Sequence, residues 1–500
     1  MPSMRYWPPA ITAGRHDHKP RESHAMTSPL YLAIDQGGHA SRAIVFDRDG
    51  TIVAHAEAAI ATLTPKPGWV EHDAEALLRS IEQTLAQIGQ LLGAQVANIK
   101  AAGLATQRSS IACWDRTSGA ALAPILSWQD RRNQPWLEAL PADTALIHQH
   151  TGLRLSPHYG ASKMRWCLDH LPAVQGALDK GHLVMGPLAS YLAFNLLDER
   201  PLVADPANAS RTLLWSLAQQ EWDDTLLALF QIPRAILPPC SLSRGAFGHL
   251  TLGGHRIPLR IITGDQSAAL FAWGEPNPGT AYINMGTGAF IQRPVSTPLL
   301  SDTLLSSVAY IDESSRCYTL EGTVNGAARA LHALAREEQI DALDSRLAQW
   351  LEKIEQPPLF LNGVAGLASP YWRPDFPSRF IGEGGPEARA VAVAESIVFL
   401  IQRNLEESEH DLPAADTLFV SGGLASLSPL CQRLADLSGR PVQRPESVEA
   451  TARGLAFLVA DRPANWAVGQ VALFPPRPCP ELRNRYLRWK AKLEMELSET

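Results

Sequence analysis

The sequence predicts an α/β protein of two domains built on one plan, and three observations predict it. The chain has 500 residues, more than one hydrophobic core usually supports. Strand-like runs alternate with runs of helical periodicity along its length. A strand, a glycine turn and a second strand stand near the start, and the same phrase returns in the second half. The halves share too little at residue level for sequence proof of a repeat, so the repetition is architectural.

The first phrase is Leu30 to Ile34, then Asp35-Gln36-Gly37-Gly38, then Ala43 to Phe46; a turn at Asp47 to Gly50 leads to a strand over Thr51 to His55. Ala74 to Gly89 carries apolar residues at helical spacing and is expected to pack on that sheet. Ile99 to Ala105 reads as a buried strand ending in Thr106-Gln107-Arg108. The second phrase begins near Leu259: a strand ends on Gly264-Asp265-Gln266, and Ser267 to Trp273 reads as a helix. Tyr282 to Met285, Gly286-Thr287-Gly288 and Ala289 to Arg293 repeat strand, turn and strand. Thr417 to Val420 then enters Ser421-Gly422-Gly423 and a helix. The expected domains are 29–272 and 273–465, meeting near Ala269–Gly279, with a C-terminal tail over 466–500.

Composition narrows the function. Hydrophobic residues make up 45% and charged residues 19%, an ordinary globular balance. A formal net charge of -7 argues against a nonspecific grip on nucleic acid or anionic lipid, while leaving room for a local phosphate pocket. The six cysteines are scattered without a CxxC pair, which argues against structural zinc and a disulfide framework and for the cytoplasm. No apolar run reaches the roughly 18 residues of a membrane span. Residues 1–28 read as a disordered leader: Met1 to Ala25 lacks the apolar centre of a signal peptide, and Met26 stands just before the first strand. His16 and His18 in that leader make at most a weak metal site.

Chemistry concentrates at the strand ends. A tight glycine turn leaves amide N–H groups free to meet an anion. In Asp35-Gln36-Gly37-Gly38-His39-Ala40-Ser41-Arg42 an acid at a strand end can hold Mg²⁺ and Arg42 offers a fixed cation; the plain alternative is a simple turn. Asp265 has two readings as well. It caps the helix that follows, or it is the base that takes a proton from an attacking hydroxyl, the one group phosphoryl transfer needs besides aligned phosphates and a metal. Gly286-Thr287-Gly288 suits a phosphate, through its amides and the Thr287 hydroxyl. Ser421-Gly422-Gly423 suits the close approach of a flat base.

These elements, in this order, resemble the FGGY family of carbohydrate kinases, and the glycerol kinase branch in particular. Pro65-Lys66-Pro67-Gly68-Trp69-Val70-Glu71-His72-Asp73 is similar to a stretch typical of that branch. So are Ser127-Trp128-Gln129-Asp130-Arg131-Arg132, Asn208-Ala209-Ser210-Arg211-Thr212, Leu320-Glu321-Gly322 and Arg485-Tyr486-Leu487-Arg488-Trp489-Lys490. The likeness runs from about Leu30 to Lys492. It implies two ribonuclease-H-like domains, as in actin and hexokinase, flanking a central cleft that binds ATP and a small polyol or sugar. It implies Asp265 as the catalytic base and Mg²⁺ held by Asp35 and Asp265. Gly37, Gly38, His39, Arg42, Gly286, Thr287, Gly288 and Gly326 would meet the nucleotide phosphates, with Gly422 and Gly423 by the adenosine. Arg108, Ser109, Trp128, His158, Asp265, Gln266 and Phe290 fall where the branch binds its polyol. Trp128 and Phe290 would wall the carbon chain, and Arg108 and Gln266 would fix hydroxyls. A homodimer or homotetramer is the assembly the resemblance suggests.

The chain departs from the pattern at several of these positions. The family glutamate after Arg108 is Ser109, and the tyrosine expected near the substrate is His158, with Tyr159 beside it. Two threonines and a serine of the first phosphate turn are Gly38, His39 and Ala40, so backbone amides remain where side-chain hydroxyls are lost. At the adenosine turn an aspartate is Ser421 and an asparagine is Leu427. Ala189-Ser190-Tyr191 stands where Asp-Thr-Trp is typical, and the effector loop is shortened around Gly253-Gly254-His255-Arg256. Two alternatives therefore accompany glycerol phosphorylation: a kinase for a longer polyol or ketose, and a nucleotide-binding regulatory protein with weak transfer activity. A hydrolase finds no GxSxG and no HExxH.

Overall fold

The computed structural model of the chain describes residues 28–140, 143–446, 449–466 and 469–499. Residues 1–27, with His16 and His18, lie outside the described residues. The first sheet comprises β1 (Leu30–Gln36), β2 (Ala40–Phe46), β3 (Ile52–Ala59), β4 (Ile99–Thr106), β5 (Arg244–Leu252) and β6 (His255–Gly264), in the order β5-β6-β4-β1-β2-β3. The second comprises β7 (Thr280–Met285), β8 (Ala289–Val295), β9 (Leu305–Ile311), β10 (Arg316–Val324), β11 (Thr417–Ser421), β12 (Val442–Pro445) and β13 (Val471–Phe474), in the order β9-β10-β8-β7-β11-β12-β13. Each sheet has an antiparallel meander, β1-β2-β3 or β7-β8-β10, followed on the other side by two parallel strands, β4 and β6 or β11 and β12. One plan is used twice, as the glycine-turn phrase predicts.

Burial follows strand position. Central β1 hides Leu32, Ala33 and Ile34 on both faces, whereas edge strand β3 alternates, turning Ala54, Ala56 and Ala58 inward. Helix α1 (Ala74–Leu92) covers that inner face with Leu77, Ile81, Leu85 and Ile88, and the Asp73 carboxylate caps it by accepting from the Ala76 amide at 2.6 Å. The helix runs past Gly89, its expected end. A Cβ on Gly89 would stand 3.3 Å from Leu252 of β5, so this glycine serves close packing, and the chain turns at Gly93 with φ +54° instead.

Helix α2 (Asp265–Ala269) closes the first domain, and α3 (Ala328–Glu337) and α4 (Pro386–Asp411) follow in the second. Buried α4 is the axis of the second core, joined there by α5 (Ser428–Ser438). Helix α6 (Ala450–Val459) follows the second half in sequence yet packs on the first sheet, where a Cβ on Gly103 of β4 would lie 2.7 Å from both Leu455 and Val459. Strand β13 and the last helix, α7 (Pro480–Glu499), complete the second domain: Trp489 is fully buried and its Nε1 donates to the Phe360 carbonyl at 2.8 Å. The domains are fused at one edge. Leu305, Val308, Ile311 and Tyr318 of β9 and β10 enter a core with Leu153, Tyr159, Leu213 and Trp215 of the first domain. Among the described residues no helix is long and apolar enough to cross a membrane.

A Cβ on Gly454 of α6 would lie 1.8 Å from the Ala268 carbonyl oxygen of α2. Alanine normally strengthens a helix interior, so Gly454→Ala separates propensity from packing. Urea unfolding should show the variant less stable by about 2 kcal/mol or more.

Candidate active site

Strands β1, β4 and β6 run parallel, and their register sets Gln36 and Gly264 on either side of Thr106. Their C-terminal ends therefore deliver Asp35, Arg108 and Asp265 to one edge of the sheet, the usual place for ligands in such folds. Asp35 is buried, and that burial, then the charge of Asp265, pushes its carboxyl up to about 7 against the pull of Arg42. Burial likewise raises Asp265, opposed first by Arg108. Asp265 is the first residue of α2 rather than its cap: its Oδ1 accepts from the adjacent Gln266 amide at 2.7 Å, and Gly264 holds the cap position. No group of three or more His, Cys, Asp or Glu side chains gathers as a closed metal cage among the described residues. Buried Asp35, raised by the charge of half-buried Asp265, forms with it a pair that fits Mg²⁺, which takes one or two carboxylates and completes its octahedron with water and phosphate.

Gly38 and His39 form the tip between β1 and β2, closed by the Gly37 amide on the Ala40 carbonyl at 3.0 Å. A Cβ on Gly38 would meet nothing within 4 Å, so the space beside the turn is open. Burial lowers the proton affinity of His39. Arg42 lies among acids: its Nε donates to Glu57 at 2.8 Å, and Asp35 and Glu449 are 3.9 and 3.8 Å away. In the second domain the Gly286–Gly288 turn sits on the end of β10, where a Cβ on Gly288 would be 2.8 Å from the Val324 carbonyl. Its Gly286 and Thr287 carbonyls accept amides from Ala327, Ala328 and Arg329 at the start of α3, and Thr287 is exposed at the tip. Gly326 is hemmed in by Asn362 and Val364. Gly422, at φ +90°, brings β11 so near β7 that a Cβ would stand 2.6 Å from the Met285 carbonyl, while Gly423 beside it is open. Leu427 turns into the core.

On the other side of the carboxylates, the Arg108 stem lies flat on Gly264: a Cβ there would come within 2.5 and 2.6 Å of Cγ and Cδ. Its Nη1 donates to Glu321 Oε1 of β10 at 3.2 Å, and Arg211 Nη1 donates to Oε2 at 3.2 Å and to Ser307 Oγ at 2.7 Å. Glu321 is buried, which would raise its carboxyl, yet Arg108 and Arg211 hold it down at about 2. His158 lies 5.4 Å from the Trp128 ring and 5.0 Å from that of Tyr159, centroid to centroid. Burial and then the charges of Arg211, Lys163, Arg108 and Arg131 keep its imidazole neutral, well below the ordinary value. Ser109 has φ +64° and is buried, with no partner for its Oγ. Phe290 is half-buried two residues before Gln292 on β8, hence on the face from which Gln292 Nε2 donates to Glu321 at 3.1 Å. Gln266 lines a narrow space between α2 and β7–β11 together with Trp273, Asn284, Gln292, Phe419 and Ser421.

The structure thus gathers Asp35, Asp265, Arg108, Trp128 and His158 around the first sheet's edge, with the glycine turns of both domains nearby. Sequence reasoning left several supporting residues without a role. Lys163 donates from Nζ to the carbonyls of Pro157, His158 and Tyr159 and so fixes the loop that carries His158; burial lowers its ammonium to about 7. Gln107 reaches Gln36 Oε1 at 3.3 Å and accepts from Ser110 at 3.0 Å, while Ser110 Oγ takes the Trp128 amide at 3.0 Å. This chain of bonds runs from the first glycine turn to the Trp128 wall. Arg211 and Glu321 lie within family-like runs, but nothing local marks them as partners.

Family comparison places both halves of the chain. The model of the FGGY family of carbohydrate kinases, N-terminal domain, matches residues 30–272, and that of the C-terminal domain matches 281–460. A glycerol kinase from Methylibium petroleiphilum is 36% identical over 501 residues, spanning 92% of this chain and 97% of that protein. One from Methylobacterium nodulans is 36% identical over 444 residues, spanning 86% and 88%. The fold is similar to that of Plasmodium falciparum glycerol kinase with ADP, at TM-score 0.85 and 23% identity over 94% of this chain and 98% of that one. It is similar also to a xylulose kinase from Brucella ovis, at TM-score 0.83 and 19% identity over 94% and 100%.

A carboxyl held below its ordinary value stabilises the fold above that value and loses the effect as pH falls. Glu321 should therefore contribute fully above about pH 4.5 and stop contributing near its folded value of about 2. Unfolding free energies from urea titrations of the parent protein and Glu321→Gln should differ by roughly 3 kcal/mol at pH 6 and converge towards pH 2.

Proposed function

Because the chain belongs to the FGGY family of carbohydrate kinases, we propose that it transfers the γ-phosphoryl group of ATP to a hydroxyl of glycerol or a similar small polyol. The observation that carries this is the Asp35–Asp265 pair at the ends of β1 and β6, on either side of β4, next to an arginine clamped at both ends. With its proton affinity raised by burial, Asp265 is the base that takes the hydroxyl proton as the oxygen attacks. Mg²⁺, held by Asp35 and Asp265, would neutralise phosphate charge when bound. The turns at Gly37–His39 and Gly286–Gly288 present amides to the phosphates, with Arg42, the Thr287 hydroxyl and Gly326 beside them, and Gly422 and Gly423 leave room for the adenosine. Arg108 and Gln266 fix hydroxyls, and Trp128 and Phe290 flank the carbon chain. The same reading carries a cytoplasmic homodimer or homotetramer with no nucleic-acid or membrane partner.

Two observations favour a longer polyol or ketose over glycerol. Ser109 brings a short neutral side chain where a carboxylate would accept substrate hydrogen bonds, and His158 presents an uncharged ring beside Trp128. Buried hydroxyl contacts of this kind shift specificity by orders of magnitude. The loss of side-chain hydroxyls at Gly38, His39 and Ala40 favours weak nucleotide use, the premise of the regulatory alternative.

The test is ADP release with Mg²⁺ATP across glycerol, tetritols, pentitols and ketoses, beside Asp265→Ala. One acceptor should stimulate release strongly, and Asp265→Ala should lower kcat by about a thousandfold. ATP binding without stimulation by any acceptor would leave the regulatory reading standing and remove Asp265 from its role. Restoring hydroxyls with Gly38→Thr and His39→Thr together should lower KM for ATP severalfold, since the turn has room for them; steady-state kinetics at saturating acceptor reads this.

A further inference from the structure

We propose that Glu321 is a positioning residue of the acceptor pocket: its carboxylate, reaching over from the second domain, sets the guanidiniums of Arg108 and Arg211, and Arg211 is a second arginine of that pocket. The inference rests on the kinase reading above, which gives neither Glu321 nor Arg211 a role.

Glu321 is itself closed to a substrate. It is 3% exposed, Oε1 receives Arg108, Gln292 and Thr319 at 3.2, 3.1 and 3.2 Å, and Oε2 receives Arg211 at 3.2 Å. A carboxylate so occupied orients its donors and has little capacity left for a ligand. Each of the two arginines meets a second part of the pocket. Arg108 rests on Gly264, the residue before Asp265. The Arg211 guanidinium lies 5.1 Å from the centroid of the ring of Tyr159, which is next to His158 in the loop that Lys163 holds. One carboxylate therefore ties the segment of the base to the loop of His158.

Charge makes the tie necessary. Both guanidiniums are buried, and the acids set against them are Glu321 by contact and Asp265 through its field; Ser109 supplies none. With Glu321 neutralised, both heads lose their strut and are drawn towards Asp265. Acceptor binding then suffers. The glycine turns grip the nucleotide mainly through backbone and are left as they were.

The experiment measures KM for the best acceptor of the panel, KM for ATP and melting temperature in the full chain, for Glu321→Gln, Glu321→Asp and Arg211→Lys. Glu321→Gln should raise the acceptor KM about tenfold or more, with KM for ATP within about twofold. Glu321→Asp keeps the charge but shortens its reach and should fall between; it carries the test if Glu321→Gln does not fold. Arg211→Lys should also raise the acceptor KM selectively. An unchanged acceptor KM in Glu321→Gln, or in Glu321→Asp in its place, overturns the proposal while the kinase reading stands. So does a parallel rise of both KM values with falling melting temperature, the mark of a structural role alone. Absence of any acceptor effect in the parent protein overturns both.

Discussion

A buried carboxylate within the field of a second one is costly, and the cleft is organised around that cost. Burial raises the proton affinity of both Asp35 and Asp265, and the charge of Asp265 raises Asp35 further. Neither can retreat, because each ends a central strand whose register is fixed by neighbours on both sides. Arg42 on one flank and Arg108 on the other offset part of the repulsion without neutralising the pair. Such a site is poised for added positive charge and for a hydroxyl proton, which is what phosphoryl transfer brings to it.

The rest of the architecture holds this pair rigid from behind and open in front. Helix α6 backs onto α2 through Gly454, so the segment bearing Asp265 cannot slide. The β9–β10 edge is fused into the first domain's core and supplies Glu321 to the floor. At the front, backbone turns with little side-chain bulk line the nucleotide side. Polar residues of both domains meet at the acceptor side, so the two sides of the cleft differ, the nucleotide side built of backbone turns and the acceptor side of charge.

Much of this was legible in the sequence because it is written locally. Strand, glycine turn and strand are neighbours in the chain, and acids at strand ends announce themselves beside Gly37 and Gly264. The spacing of Leu77, Ile81, Leu85 and Ile88 declares α1, and only its end was misplaced, since Gly89 reads as a stop while its contact with Leu252 is long-range. What escaped the sequence joins residues far apart: Arg108 with Glu321, Arg211 with Glu321, Gln36 with Gln107. No periodicity marks such pairs, and a buried glutamate in a strand looks in sequence like an exposed one. The cap alternative for Asp265 could be settled only by seeing which atom its carboxylate meets.

The return of α6 to the first sheet has a consequence for how the protein is made. Synthesis delivers the first six sheet strands long before residue 450, and domains tend to fold in the order in which they emerge. Here the face around Gly103 keeps its apolar surface bare until Leu455 and Val459 arrive. The nascent first domain is thus an unfinished object through most of its own translation, dependent on a segment still inside the ribosome. Closure of so distant a contact is slow, and it ties the completion of the catalytic pair to the near-completion of the polypeptide.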